Sequence, residues 1–233
     1  MKPGKTPSRG GYTLVEIMVA TTILGVVTLG IVTFLFQGSK IYYRDRAALI
    51  INRDIRTLTS ALDTDAVTSN FFRVYADFSS RVNSSSADAA VRSGEIGDMV
   101  VFVFTDPSTT NNGANFVNRL VGYYREVTNT SLNTGPVHRF DVTVSPSVQT
   151  DNIGALLNTK VTGAAATYPI VTQIAQGNSS NTDGTSTAVT KLFYNYKNHS
   201  AMIAAQISES LNEVQLSTSQ MGNTYNFSVS PRG

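Results

Sequence analysis

The chain has 233 residues, with 18 Lys and Arg against 16 Asp and Glu. Three of those cations, Lys2, Lys5 and Arg9, lie in the first eleven residues, and the remainder is near neutral at 15 basic against 16 acidic. Bulk charge therefore gives no support to nucleic-acid binding. With no cysteine, a disulfide framework, a thiolate nucleophile, a Cys-based metal site and a lipidated cysteine are all excluded. The length admits one soluble domain beyond an N-terminal segment of about forty residues.

The chain opens with a short basic leader that ends at Gly10-Gly11, followed by Tyr12-Thr13-Leu14-Val15-Glu16. From Ile17 to Phe36 there are twenty residues without a charge. At about 1.5 Å per residue such a helix is roughly 30 Å long, enough to cross the hydrocarbon of a bilayer. Glu16 stands alone beside this run. An ionisable group in a membrane segment costs on the order of a few kcal/mol and is rarely there without a partner. A cut between Gly11 and Tyr12 would create one, because the new amine lies four residues before Glu16, one helical turn away. The carboxylate also suits the positive end of the helix dipole.

This arrangement resembles the type IV pilin and pseudopilin signature, in which a basic leader ends in Gly, an aromatic residue follows, and Glu lies four residues on. Gly11, Tyr12 and Glu16 fall on those positions. The resemblance implies cleavage after Gly11 by a prepilin peptidase, methylation of the Tyr12 amine, and an assembly role for Glu16. It also implies a single-pass inner-membrane protein with its C-terminal domain periplasmic, later built into a pilus or pseudopilus with other pilins or pseudopilins. Tyr12 replaces the commoner Phe, and Thr33 stands where many pilins carry Pro. Lys40, Arg44 and Arg46 follow the span as Lys2, Lys5 and Arg9 precede it, so charge alone does not orient it. Two other readings of the segment compete. A cleaved secretory signal has an apolar part of about 7–15 residues, shorter than this run. A plain signal-anchor leaves the Gly-aromatic-Glu spacing to chance.

Beyond the span no Pro occurs between Pro7 and Pro107, and Gln37-Gly38-Ser39 is the one weak point in a helix expected from Tyr12 to about Asp63. Ile41, Ala48, Ile55 and Leu62 recur every seven residues with Ile51 and Leu58 beside them, an apolar stripe for the soluble domain. Arg53, Asp54 and Arg56 are expected off that stripe. Asn52-Arg53-Asp54-Ile55-Arg56 resembles the end of the first helix in J-type minor pseudopilins and W-type minor pilins. The order of Phe193–Tyr196 and Leu211–Leu216 adds a weaker likeness to the J-type.

The stretch from Asp63 to Asp98 is polar, anchored by Phe71, Phe72, Val74, Tyr75 and Phe78, with Ser79–Gly94 as a connection. Met99–Phe104, Leu120–Val127 and Val137–Val144 read as strands of an antiparallel meander, the last ending before Ser145-Pro146. Ser145–Ala188 reads as loop with a strand at Pro169–Ala175 and a low-complexity tract at Gly177–Thr187. Val189–Tyr196 reads as a strand. His199–Leu211 reads as a helix on the spacing of Ile203, Ile207 and Leu211. Glu213–Ser219 and Tyr225–Ser230 read as a hairpin around Met221-Gly222-Asn223. The fold class is therefore α+β: a long N-terminal transmembrane and amphipathic helix packed on an antiparallel sheet. Its parts are a leader (1–11), a membrane or filament-core helix (12–36), an amphipathic continuation (37–65) and a β domain (66–233).

Catalytic chemistry finds little to work with. Only His138 and His199 are present, and no Gly-x-Ser-x-Gly turn occurs. Gly4-Lys5-Thr6 lacks the upstream glycine and strand of a phosphate loop. Asp63 with Asp65, and Asn181 with Asp183-Gly184, supply oxygens for calcium but lack a closing Glu and are read as solvated. No cofactor, metal or enzyme activity is expected. The leading reading is a structural subunit, a minor pilin or pseudopilin of a type IV pilus, competence or type II secretion filament. A major pilin is the nearest rival. The alternative from another class is a membrane-anchored periplasmic binding domain or enzyme that does not polymerise.

Overall fold

The computed structural model describes residues 11–81, 88–106, 116–128, 135–161, 167–175, 191–211, 214–217 and 225–232. Most of the leader, the tract at 177–187, part of the connection before Gly94 and the turn at 221–223 lie outside them. The first element is one continuous helix, α1, Leu14–Thr68, 55 residues and roughly 80 Å long at 1.5 Å per residue. It runs through Gly38 without a break. Among the described residues ten strands follow: β1 (Phe71–Tyr75), β2 (Ile96–Gly97), β3 (Met99–Thr105), β4 (Phe116–Arg125), β5 (Gly135–Gln149), β6 (Thr167–Ala175), β7 (Phe193–Tyr196), β8 (Ser200–Leu211), β9 (Val214–Ser217) and β10 (Tyr225–Val229), with a short helix α2 (Ile153–Lys160) between β5 and β6. They form an antiparallel sheet in the order β1-β3-β4-β5-β6-β8-β7-β2, with β9 and β10 also paired to β8. The α+β expectation holds, as does the β3-β4-β5 meander.

The uninterrupted apolar run of β3 has a simple cause. Neighbouring residues of a strand point to opposite faces, and here both faces are covered. Val100 and Phe102 pack with Ile51, Leu58 and Leu62 of α1. Met99, Val101 and Val103 pack on the other side with Ile153, Leu156 and Leu157 of α2. The sheet is thus the middle of three layers. Each fully buried aliphatic side chain contributes about 1.5–3 kcal/mol, so Ile51, Leu58 and Leu62 anchor the C-terminal part of α1 on its face of the sheet.

The structure corrects several expectations. The packed face of α1 is Ala47, Ile51, Asp54, Leu58, Leu62, Asp65 and Ala66, spaced three and four residues apart. Ile41 is exposed because the domain's cover begins only at Ala47. Asp54 lies on the buried row, with Arg53 folded over it at 2.8 Å. β1 occupies residues expected only to supply anchors. β4 ends at Arg125, leaving Val127 exposed. β5 continues beyond Ser145-Pro146, whose peptide is cis. Pro146 falls where the β4–β5 register shifts between Val117 and Arg119, so its missing N–H leaves no paired position empty. α2 lies in a stretch expected to be loop; the Asn152 side chain caps it by accepting from the Ala155 N–H at 2.9 Å.

The expected helix at His199–Leu211 is the strand β8. Ala201 and Ile203 are buried and Met202 is exposed, a period of two, and Ile203 is flanked by Phe193 of β7 and Phe227 of β10. β9 and β10 do not pair as a hairpin: both pair with β8, with Leu211 opposite Val214.

Candidate functional site

From Tyr12 to Arg46 no residue of the helix is buried. About 50 Å of α1, at 1.5 Å per residue, therefore projects clear of the domain. Its tip carries the residues singled out in the sequence. Gly11, Tyr12 and Thr13 precede the helix, and Tyr12 is 85% exposed. Nothing lies within 4 Å of where a side chain on Gly11 would begin. The Gly11–Tyr12 peptide thus lies open in a non-helical segment.

Thr13 caps the helix, and Glu16 completes the cap. The Glu16 N–H donates to Thr13 Oγ1 at 3.3 Å, while Glu16 Oε2 accepts from the Thr13 N–H at 2.8 Å and from its hydroxyl at 2.9 Å. This reciprocal box satisfies helix N–H groups that have no partner within the helix. Within a single chain, then, Glu16 is turned back toward Tyr12 and held by Thr13. The part played by Thr13 was missed from the sequence, although the Thr-x-x-Glu spacing before an apolar run signals it.

Behind the tip, the hydroxyls of the apolar run are hidden by the helix itself. Thr22, Thr28 and Thr33 donate to the carbonyls of Met18, Leu24 and Leu29 at 2.7–2.8 Å, and Thr21 donates to that of Ile17 at 3.0 Å. Such bonds leave no hydroxyl seeking a partner in a water-free surrounding. Gly25 and Gly30 leave open space on the surface, where another backbone can approach closely. Among the described residues α1 is the one helix long and apolar enough to cross a membrane.

The rooted end of α1 is fixed by charge as well as by apolar packing. Arg139 of β5 donates from Nε and Nη2 to Asp65 at 3.0 and 3.1 Å, and Tyr123 donates its hydroxyl to the same carboxylate. Arg119 and Arg139 both reach Asp141, at 2.6 and 3.2 Å. Burial and the Asp65 hydrogen bond push the Tyr123 phenol upward, so it stays a donor. The Arg119 hydrogen bonds hold the Asp141 carboxyl below the ordinary aspartate range. A second buried pair, Arg125 with Asp98 at 2.8 Å, joins β4 to the start of β3, and Asp98 also accepts from the Leu192 N–H at 3.0 Å.

The other residues weighed for chemistry are dispersed. His138 stacks on Tyr124 and lies 3.0 Å from Glu126, whereas His199 sits exposed in the turn after β7. Asp65, one of the oxygens considered for calcium, is buried and engaged by Arg139 rather than solvated. Asn181 and Asp183 lie outside the described residues.

Against known proteins, the family model of the prokaryotic N-terminal methylation motif matches residues 6–32. Neither the curated proteins nor the solved structures give a match.

Proposed function

From a type IV pilin-like prepilin signature, carried at the tip of a helix that projects bare from its domain, we propose that the chain is a minor pilin or pseudopilin of a membrane-assembled filament. In this reading residues 1–11 are a leader removed by prepilin peptidase, and Tyr12 becomes the N-methylated first residue. Residues 12–36 hold the subunit in the inner membrane with the domain on the periplasmic side. Residues 37–65 join that span to the domain formed by 66–233.

The observation that carries the proposal is the length of uncovered apolar helix. A soluble domain has no use for about 30 Å of uncharged apolar helix left bare, and a simple tether needs no capped Glu beside a processing site. Assembly exchanges lipid contacts for contacts between parallel helices, favoured by the small residues on the surface. Glu16 then exchanges Thr13 for the amine of a neighbour's Tyr12, and this sets the axial register, because misregister strands a charge in an apolar bundle. Nothing in this role asks the chain to catalyse a reaction. The minor rather than major role rests on the size of the domain, its long polar segments and the Asn52–Arg56 resemblance.

The absence of native cysteine makes the test direct. Ile31→Cys labelled with a thiol-attached photo-cross-linker should cross-link to the helix of another pilin-like subunit in cells that assemble filaments, and not in cells lacking the assembly machine. Absence of such a cross-link in assembling cells, with the protein present at normal level, would overturn the filament role.

A further inference from the structure

We propose that Lys40–Arg46 is a lipid-binding collar that takes the phosphate headgroups of anionic lipids, with an acyl chain seated beside it. The inference rests on α1 crossing a bilayer and is independent of filament assembly. Its location is the first observation. The apolar run ends at Phe36, the domain's buried face of α1 begins at Ala47, and of the ten residues between none is buried and all but the half-buried Tyr43 are exposed. Tyr12 and Tyr42 bracket the span thirty residues apart, roughly 45 Å, which matches a bilayer with its headgroup layers, about 40–45 Å.

The chemistry of the collar is the second observation. Lys40, Arg44 and Arg46 are all exposed, against the single acid Asp45. Among the described residues none of these cations lies within 4 Å of a carboxylate, whereas Arg53, Arg119, Arg125 and Arg139 each do. Lys40 and Arg44 sit one turn apart on the same helix row, a like-charge pairing that is mildly unfavourable unless an anion lies between them. Tyr42 and Tyr43 stand edge to face with ring centroids 5.6 Å apart, amphipathic rings of the kind that settle at headgroup level.

The third observation is a shape. Gly38 leaves a shallow notch of about 320 Å³ lined by Phe34, Leu35, Gly38, Ser39, Tyr42 and Tyr43. Arg46 stands one turn above Tyr42. A lipid with its upper acyl chain in the notch therefore brings its phosphate to Arg46. Removal of the leader also takes away Lys2, Lys5 and Arg9, so in the mature chain this collar is the nearest cationic cluster to the span.

The chain has no tryptophan, so Tyr42→Trp gives a single fluorescent reporter. The full-length protein carrying it is placed in phosphatidylcholine nanodiscs containing a small fraction of lipid spin-labelled just below the headgroup, either phosphatidylglycerol or phosphatidylcholine. The expected result is quenching by labelled phosphatidylglycerol at least about threefold stronger than by labelled phosphatidylcholine at low salt. That preference should vanish when Lys40, Arg44 and Arg46 are all changed to Ser, and persist in Lys160→Ser. Gly38→Leu, which fills the notch, should weaken quenching by both lipids. Equal quenching by the two lipids in the parent reporter, or stronger quenching by a mid-chain label, would overturn the proposal. So would a reporter untouched by either lipid and cross-linked to a second copy, which would make the occupant protein.

Discussion

Arg139 grips Asp65 with two nitrogens, at 3.0 and 3.1 Å, across the junction between the middle of the sheet and the last turns of the long helix. The two residues are 74 positions apart in the chain. This two-pronged contact adds a directional restraint to the packing of Ile51, Leu58 and Leu62 on the sheet, and together they hold the last turns of α1 to the domain.

Asp65→Leu should therefore be more damaging than an apolar substitution on a helix suggests. It leaves the Arg139 guanidinium, 14% exposed, without its main partner. Breaking such a pair costs about 3–5 kcal/mol, and the lower end is expected because Asp141 stays 3.2 Å away. The double change Asp65→Leu with Arg139→Met should recover much of the loss. Denaturation midpoints of the chain truncated to begin at Gln37 measure both. That truncated chain should be soluble and show mixed helix and strand by circular dichroism.

A pH dependence follows from Asp141. Its carboxyl titrates below its ordinary value of 3.8, chiefly because Arg119 hydrogen-bonds it. A depressed folded pKa means that the stabilisation is present above the unfolded value and is lost as pH falls. As pH falls from about 4 through the lowered folded value, the truncated chain should lose a stability increment that Asp141→Asn lacks, on the order of 1 kcal/mol or less for a half-exposed pair. Equal acid sensitivity of the two proteins would show that Asp141 makes no such contribution.

Processing should depend on Gly11 without the fold depending on it. Open space surrounds the position a side chain there would take, so Gly11→Leu should leave the domain's melting behaviour unchanged while blocking cleavage. Mass spectrometry of the wild-type mature protein should find N-methyl-Tyr12 at its start. A functional chain that begins at Met1, or one cut after Phe36, would contradict the prepilin reading.

Thr13 offers a separate handle on Glu16. Thr13→Val keeps the shape and removes the hydroxyl that both accepts the Glu16 N–H and donates to its carboxylate. Loss of such a cap costs about 1 kcal/mol. The helix should fray at its first turn, seen in lipid nanodiscs as faster amide exchange at Glu16 and Ile17, whose N–H groups bond the Thr13 hydroxyl and carbonyl. Thr13→Ser should behave as wild type.

Much of this architecture could be read from the residues. The helix was legible because the apolar run and the stripe beyond it share one period, and β3, β4 and β5 because β-branched runs are bounded by turn residues. β8 was not, for a physical reason: Ile203, Ile207 and Leu211 are four apart, and four is a whole number of strand repeats as well as about one helical turn. Strand pairing on both sides of Ile203 decides between them, and pairing is not visible locally. Asp54 and Asp65 read as solvent-facing because a carboxylate on a packed face is disfavoured until its partner is known; Arg139 is far from Asp65 in sequence, and the fold of Arg53 back over Asp54 is not visible in the pattern. At the tip, Gly11, Tyr12 and Glu16 were legible from spacing, while the Thr13 box was written in the sequence and overlooked.

The proposed action of Glu16 between subunits is tested by Glu16→Leu. The comparison is the amount of tagged mutant and wild-type protein in sheared filaments, set against the amount in the inner membrane. A carboxylate that merely sits near a membrane surface should be dispensable, and its removal harmless. If it pairs with the neighbour's Tyr12 amine, losing it strands a charge at a cost of about 3–5 kcal/mol. Membrane abundance and cleavage should then be normal, with filament recovery down by about two orders of magnitude or more. Undiminished filament recovery of the cleaved mutant would contradict that pairing.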